Sequence, residues 1–144
     1  DAYMAASAAK GLSGEKKVNF DGAKALLSSL RQSDGTYKAS KDTSRADAAS
    51  TAFALKLTAL LEPGSQVSAT PLLKMGKAVG GDLYFTAPGR NRLLTTSLVL
   101  ETSLASTGIT AAQVSSIASF LLSSKHVRDV EDIYHLMLSL NLCA

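Results

Sequence analysis

Leu26-Leu27-Ser28-Ser29-Leu30-Arg31-Gln32-Ser33-Asp34-Gly35-Thr36-Tyr37 runs an apolar helical pattern into a polar Asp-Gly turn and then an aromatic residue. A second apolar helical stretch, residues 48–61, follows it. The order recurs in Leu72-Leu73-Lys74-Met75-Gly76-Lys77-Ala78-Val79-Gly80-Gly81-Asp82-Leu83-Tyr84, followed by the apolar stretch 93–104. Tyr37 and Tyr84 stand 47 residues apart in the two copies. A period near that length is typical of stacked helix pairs, in which each unit buries its apolar face on the next. The expected fold class is all-α, an α/α superhelix of about seven helices. Such proteins present surfaces to partners.

Local signals outline the helices. Residues 1–10 read as helical, with Gly11 as the stop. Asn19 or Asp21 caps a second helix through about residue 32, with Ala23, Leu26, Leu27 and Leu30 on one face. A third helix covers about 45–61 and is closed by Pro63-Gly64. Thr70-Pro71 starts a fourth, expected to end near Gly80-Gly81. Extended pieces suit Thr36 to Lys38 and Leu83 to Thr86. The fifth helix is expected over 91–106, with Leu94, Leu98 and Leu104 along its turns and Gly108 as its stop. Thr110 and Gln113 form a capping box for a sixth, 111–124. Asp129, Glu131 and Asp132 favour the start of a seventh, whose apolar side runs through Ile133, Leu136, Met137 and Leu140. The expected core includes Leu26, Leu30, Phe53, Leu57, Leu94, Leu98, Ile117, Leu121, Ile133 and Leu136.

Composition narrows the function classes. A length of 144 residues suits one domain, 1–144, and a hydrophobic share of 46% excludes general disorder. Net charge is +3, and the basic residues of the first third are interspersed with Asp21, Asp34 and Asp42. That pattern describes a solvated helical surface rather than a nucleic-acid interface. Cys143 is the only cysteine, so no internal disulfide forms. No uncharged apolar run reaches the roughly 18 residues of a membrane span. The chain opens on a helical pattern without an initiator methionine, and it reads as a fragment of a longer protein.

No catalytic constellation is visible. His126 and His135 lie in neither a HExxH helix nor a Cys-His zinc spacing. His126 with Asp129 and Asp132 is better read as the polar start of a helix than as a metal site. Gly80-Gly81 lacks the Lys and Ser/Thr of a P-loop, and the carboxylates are scattered. No catalytic, cofactor-binding or metal-binding residue is therefore expected, and no cofactor.

The run Ser29 to Tyr37 with Ser50-Thr51-Ala52-Phe53-Ala54-Leu55 resembles the lumenal helical region of the ribophorin II family, closest to its plant or algal members. The second half agrees in order: Gly81-Asp82-Leu83-Tyr84-Phe85, Leu94-Thr95-Thr96-Ser97-Leu98-Val99, Ile117-Ala118-Ser119-Phe120-Leu121-Leu122, and the closing stretch 129–143. That resemblance implies a non-catalytic structural or interaction domain of an oligosaccharyltransferase subunit, supporting N-glycosylation. It implies a parent protein in the endoplasmic reticulum membrane, with this segment lumenal. The implied partners are the other subunits of that complex, with translocon and ribosome nearby, and no nucleic acid. The Gln32-x-Asp34-Gly35-x-Tyr37 turn is also similar to α/α toroids such as terpene cyclases and protein prenyltransferases. Their aspartate-rich motif and zinc ligands have no counterpart here. The alternative reading is an enzyme of that kind or its inactive remnant.

Overall fold

The computed structural model describes residues 20–123, together with His135, Met137, Leu138 and Asn141. The helix expected over 1–10, most of the one expected after Asp129, and the core positions Ile133 and Leu136 lie outside the described residues.

Helix α1 (Asp21–Leu30) carries Asp21 in its first turn, where its charge suits the helix dipole, and follows Phe20 as N-cap. It turns Leu27 and Leu30 toward the core, but none of its residues is fully buried. The chain then reverses over Gln32–Thr36. The Gln32 N–H donates to the Thr36 carbonyl at 2.8 Å, and Arg31 bridges antiparallel to Tyr37. Gly35 sits here at φ +85, in the left-handed region, and a Cβ on it would meet the Pro71 ring at 2.8 Å. Helix α2 (Ala48–Leu61) is capped by Asp47, whose carboxylate accepts both the N–H and the hydroxyl of Ser50 at 2.8 Å.

The fourth helix departs most from expectation. Helix α3 (Thr70–Leu73) is one turn long. Strands β1 (Lys77–Val79) and β2 (Asp82–Tyr84) follow it as an antiparallel hairpin, with Val79 paired to Asp82. Two causes act together. Gly80 and Gly81 both have positive φ, 57° and 89°, which is what a two-residue hairpin turn of the right twist requires. Gly76 lies so close to its neighbours that a Cβ would stand 2.7 Å from a Leu83 methyl and 3.0 Å from the Phe85 ring. The backbone at Gly76 is thus pressed against the chain returning from β2, and a helix continued to residue 80 would remove that contact.

Helix α4 (Arg92–Leu104) begins at Asn91, whose side chain accepts the Leu93 N–H at 2.8 Å. Helix α5 (Ala111–Ser123) has the expected capping box: the Gln113 N–H donates to the Thr110 hydroxyl, and the Thr110 N–H donates to the Gln113 side chain. α2 packs on α4, and α5 covers β2. The described residues therefore form five helices and a two-stranded antiparallel sheet, not the all-α superhelix of about seven helices expected from the repeat.

The principal core lies among α2, α3, α4, α5 and Phe85. Leu57, Ile117 and Leu121 are buried as expected. Leu30, Phe53, Leu94 and Leu98 are half-buried, and Leu26 is 42% exposed. In α4 the buried residues are Leu93, Thr95, Thr96, Ser97, Val99, Leu100, Thr102 and Ser103, so its fully buried apolar side chains are Leu93, Val99 and Leu100 rather than the Leu94–Leu98 row. Ser97 and Ser103 have buried hydroxyls without a hydrogen-bond partner among the described residues. An unsatisfied buried hydroxyl costs free energy, and alanine is both smaller and the better helix former. Ser97→Ala and Ser103→Ala should each leave stability unchanged or raise it, by up to about 1 kcal/mol. A urea midpoint that falls in both variants would refute this.

Candidate functional site

The two sequence copies meet the core through the same device. The Tyr37 N–H donates to the Thr51 hydroxyl at 3.1 Å, and that hydroxyl donates to the Tyr37 carbonyl at 3.5 Å. The Phe85 N–H donates to the Thr96 hydroxyl at 3.0 Å, and that hydroxyl donates to the Phe85 carbonyl at 3.4 Å. All four residues are buried. In each case an aromatic residue in extended backbone has its main-chain groups satisfied by a threonine of the following helix. Buried backbone groups need such partners, and these lie outside any long ladder. The copies are offset at this point. Tyr84 pairs with Lys77 as Tyr37 pairs with Arg31, yet Phe85, the next residue, takes Tyr37's place beneath the threonine.

The acids near these turns have structural partners. The Asp34 carboxylate accepts the Thr36 hydroxyl at 2.6 Å and the Thr36 N–H at 3.0 Å, and those two bonds, the hydroxyl first, hold its pKa below the ordinary 3.8. Asp34 is solvent-exposed. A lowered folded-state pKa means that its contribution to stability is present above the ordinary carboxyl pKa and is lost as pH falls through the lowered value. Asp34→Ala should reduce the melting temperature at neutral pH and flatten the acid limb below about pH 4. A variant whose acid limb matches that of the parent chain would overturn this. Asp82 reaches across to α5, where the Ser119 hydroxyl donates to it at 2.6 Å. Nearby, Tyr84 stacks on Phe120 with centroids 5.3 Å apart, and the Arg92 guanidinium lies 5.2 Å from the Tyr84 ring centroid. Glu101 pairs with Lys56 at 2.9 Å, joining α4 to α2.

Two of the surface depressions among the described residues differ sharply in character. One is an apolar groove of about 290 Å³ between α1, the segment 37–39 and α2, lined by Leu26, Leu30, Tyr37, Phe53 and Leu57, with Lys38 and Arg90 among its walls. The other is a broad polar hollow of about 1130 Å³ beside the loop 42–47, where Arg45, Lys77 and Arg90 accompany Asp42 and Asp47. Asp47 is already engaged as the α2 cap. The hollow is of mixed charge and is not an acid-lined cavity of the kind a cyclase would need.

Among the described residues, no group of three or more His, Cys, Asp or Glu side chains is placed to hold a metal ion. His126, Asp129, Asp132 and Cys143 lie outside the described residues; His135 is helical and half-buried. No described helix is long and apolar enough to cross a membrane. No family model, curated protein or solved structure matches this chain. What the sequence reading missed was the threonine clasp and the hairpin. The Gly-Gly pair between Lys77-Ala78-Val79 and Asp82-Leu83-Tyr84 was the available signal for the hairpin. Thr51 and Thr96 had none beyond their place one turn inside a helix.

Proposed function

We propose that this chain is a non-catalytic, lumenal structural and interaction segment of an oligosaccharyltransferase subunit of the ribophorin II kind, acting in N-glycosylation at the endoplasmic reticulum. The observation that carries the reading is where the residues of the resemblance fall. The Gln32–Tyr37 run forms the first turn, and its Tyr37 is clasped by Thr51. The Gly81–Phe85 run forms the second strand of the hairpin, and its Phe85 is clasped by Thr96. Ile117 and Leu121 of the third run are core residues. The ordered resemblance thus coincides with the first turn, the hairpin and the core residues that join them to the helices. An architectural module is recognisable by such parts, whereas an enzyme is recognisable by converging chemical groups.

On this reading the segment contributes through surface complementarity to the other subunits, with the chemistry performed elsewhere in the complex. The test is affinity purification of the tagged parent protein from membranes, in a detergent that preserves the complex. Co-recovery of the oligosaccharyltransferase catalytic subunit is expected. Its absence would sink the assignment, and glycan transfer by the 144-residue chain alone would reject the non-catalytic part of it.

A further inference from the structure

We infer that the groove between α1 and α2 is a binding site for a single-chain amphiphile with an anionic head, of the fatty-carboxylate class. This inference is independent of the glycosylation reading, because it uses only the groove and its charges. The floor and walls are apolar: Leu26, Leu30, Tyr37, Phe53 and Leu57 line them. Leu26 is 42% exposed here and Phe53 is only half-buried, so the groove leaves apolar surface in water that an alkyl chain would cover. Its volume of about 290 Å³ is at the bottom of the range of roughly 300–1,000 Å³ for small-molecule sites. That suits one extended alkyl chain.

The charge of the walls selects the head group. Lys38 and Arg90 line the groove, and no aspartate or glutamate does among the described residues. The Arg90 guanidinium stands 5.6 Å from the centroid of the Phe53 ring. It is thereby held beside the apolar wall, with its remaining N–H donors available in the fork geometry that matches a carboxylate. An alkyl chain against Leu26, Phe53 and Leu57 would bring a terminal carboxylate to these two cations. A neutral amphiphile would gain the apolar contact alone.

The experiment is fluorescence titration of the 144-residue chain with dansyl-undecanoate, displaced by dodecanoate or by dodecanol below their aggregation limits. Saturable binding is expected, with dodecanoate competing about tenfold better than dodecanol, since a hydrogen bond to a charged group is worth about 1.5–3 kcal/mol. Arg90→Gln should remove most of that preference while leaving dodecanol competition unchanged. Ala39→Trp, at an exposed loop residue lining the groove, should weaken both competitors. Circular dichroism of each variant establishes that it is folded. Four results would overturn the inference: no saturable binding, equal affinity in both variants, association only with phosphatidylglycerol vesicles and not with the monomeric acid, or a dimer in sedimentation velocity that Leu26→Asp dissociates.

Discussion

Phe85→Ala is expected to lower the stability of this chain by about 3–5 kcal/mol, the usual cost of truncating a fully buried phenylalanine whose site cannot collapse. For a chain of this length that corresponds to a fall of about 10–20 °C in melting temperature. Phe85 is 0% exposed and heads the largest fully buried side chains. Its ring lies against Gly76, so the cavity left behind would be walled partly by backbone, which relaxes poorly. The comparison that matters is with Phe53→Ala. Apolar spacing nominates Phe53 for the core, with the same cost of about 3–5 kcal/mol if its site cannot collapse. In the fold Phe53 is half-buried at the edge of the open groove, under Arg90. Its removal should therefore cost clearly less. Urea unfolding of the two variants side by side decides the matter, and a Phe53 variant as damaged as the Phe85 variant would mean that the core has been placed wrongly.

Thr96→Val should destabilise by about 2–3 kcal/mol, although it replaces a polar side chain by an apolar one of nearly the same shape in a buried position. The reason is the pair of main-chain groups it serves. Without the hydroxyl, the Phe85 N–H loses its 3.0 Å acceptor and the Phe85 carbonyl its 3.4 Å donor, both in a buried place. A buried group stripped of its partner bears its desolvation penalty of about 1–3 kcal/mol. Thr96→Ser keeps the hydroxyl and loses only a methyl group, so it should retain more stability than Thr96→Val. The opposite order in chemical denaturation would show that the threonine matters for its shape and not for the clasp. Thr51 makes the equivalent contact with Tyr37, and Thr51→Val should behave the same way, with Thr51→Ser again milder. This equivalence makes the two units comparable by measurement as well as by sequence.

Much of the local architecture was legible in the residues. Thr110 and Gln113 announced the start of α5, and their reciprocal bonds are present. Asp34-Gly35 announced the first turn, where the aspartate binds Thr36 and the glycine adopts positive φ. Pro63-Gly64 and Gly108 announced helix ends. The fourth helix is where sequence and structure part, because a Gly-Gly pair reads equally as a helix stop. Gly80-Gly81 is the turn of a hairpin, and three residues on either side of a glycine pair carry too little alternation to distinguish a short strand from the end of a helix. The candidate site was less legible than the fold. The spacing of Leu26 and Phe53 points to the interior, whereas both line an open groove. Spacing identifies an apolar face without saying whether a neighbour arrives to cover it.

The sequence by itself determined where most of the described helices start and stop. These signals act within a single turn, through capping side chains and glycines whose backbone conformations other residues rarely adopt. The tertiary structure alone decided which face of α4 turns inward and that threonine, serine and alanine form much of the core. Apolar periodicity points to Leu94 and Leu98, but both are half-buried, and the buried residues are Leu93, Thr95, Thr96, Ser97, Val99, Leu100, Thr102 and Ser103. Small side chains let α2 and α4 approach closely, and they register weakly in any hydrophobic count. The threonine hydroxyls of this interface are satisfied by helix and neighbour: Thr102 donates to the Leu98 carbonyl one turn back, and Thr96 bonds to the backbone of Phe85. The partner that lets Thr96 sit in the core is eleven residues away in the chain and adjacent only after folding.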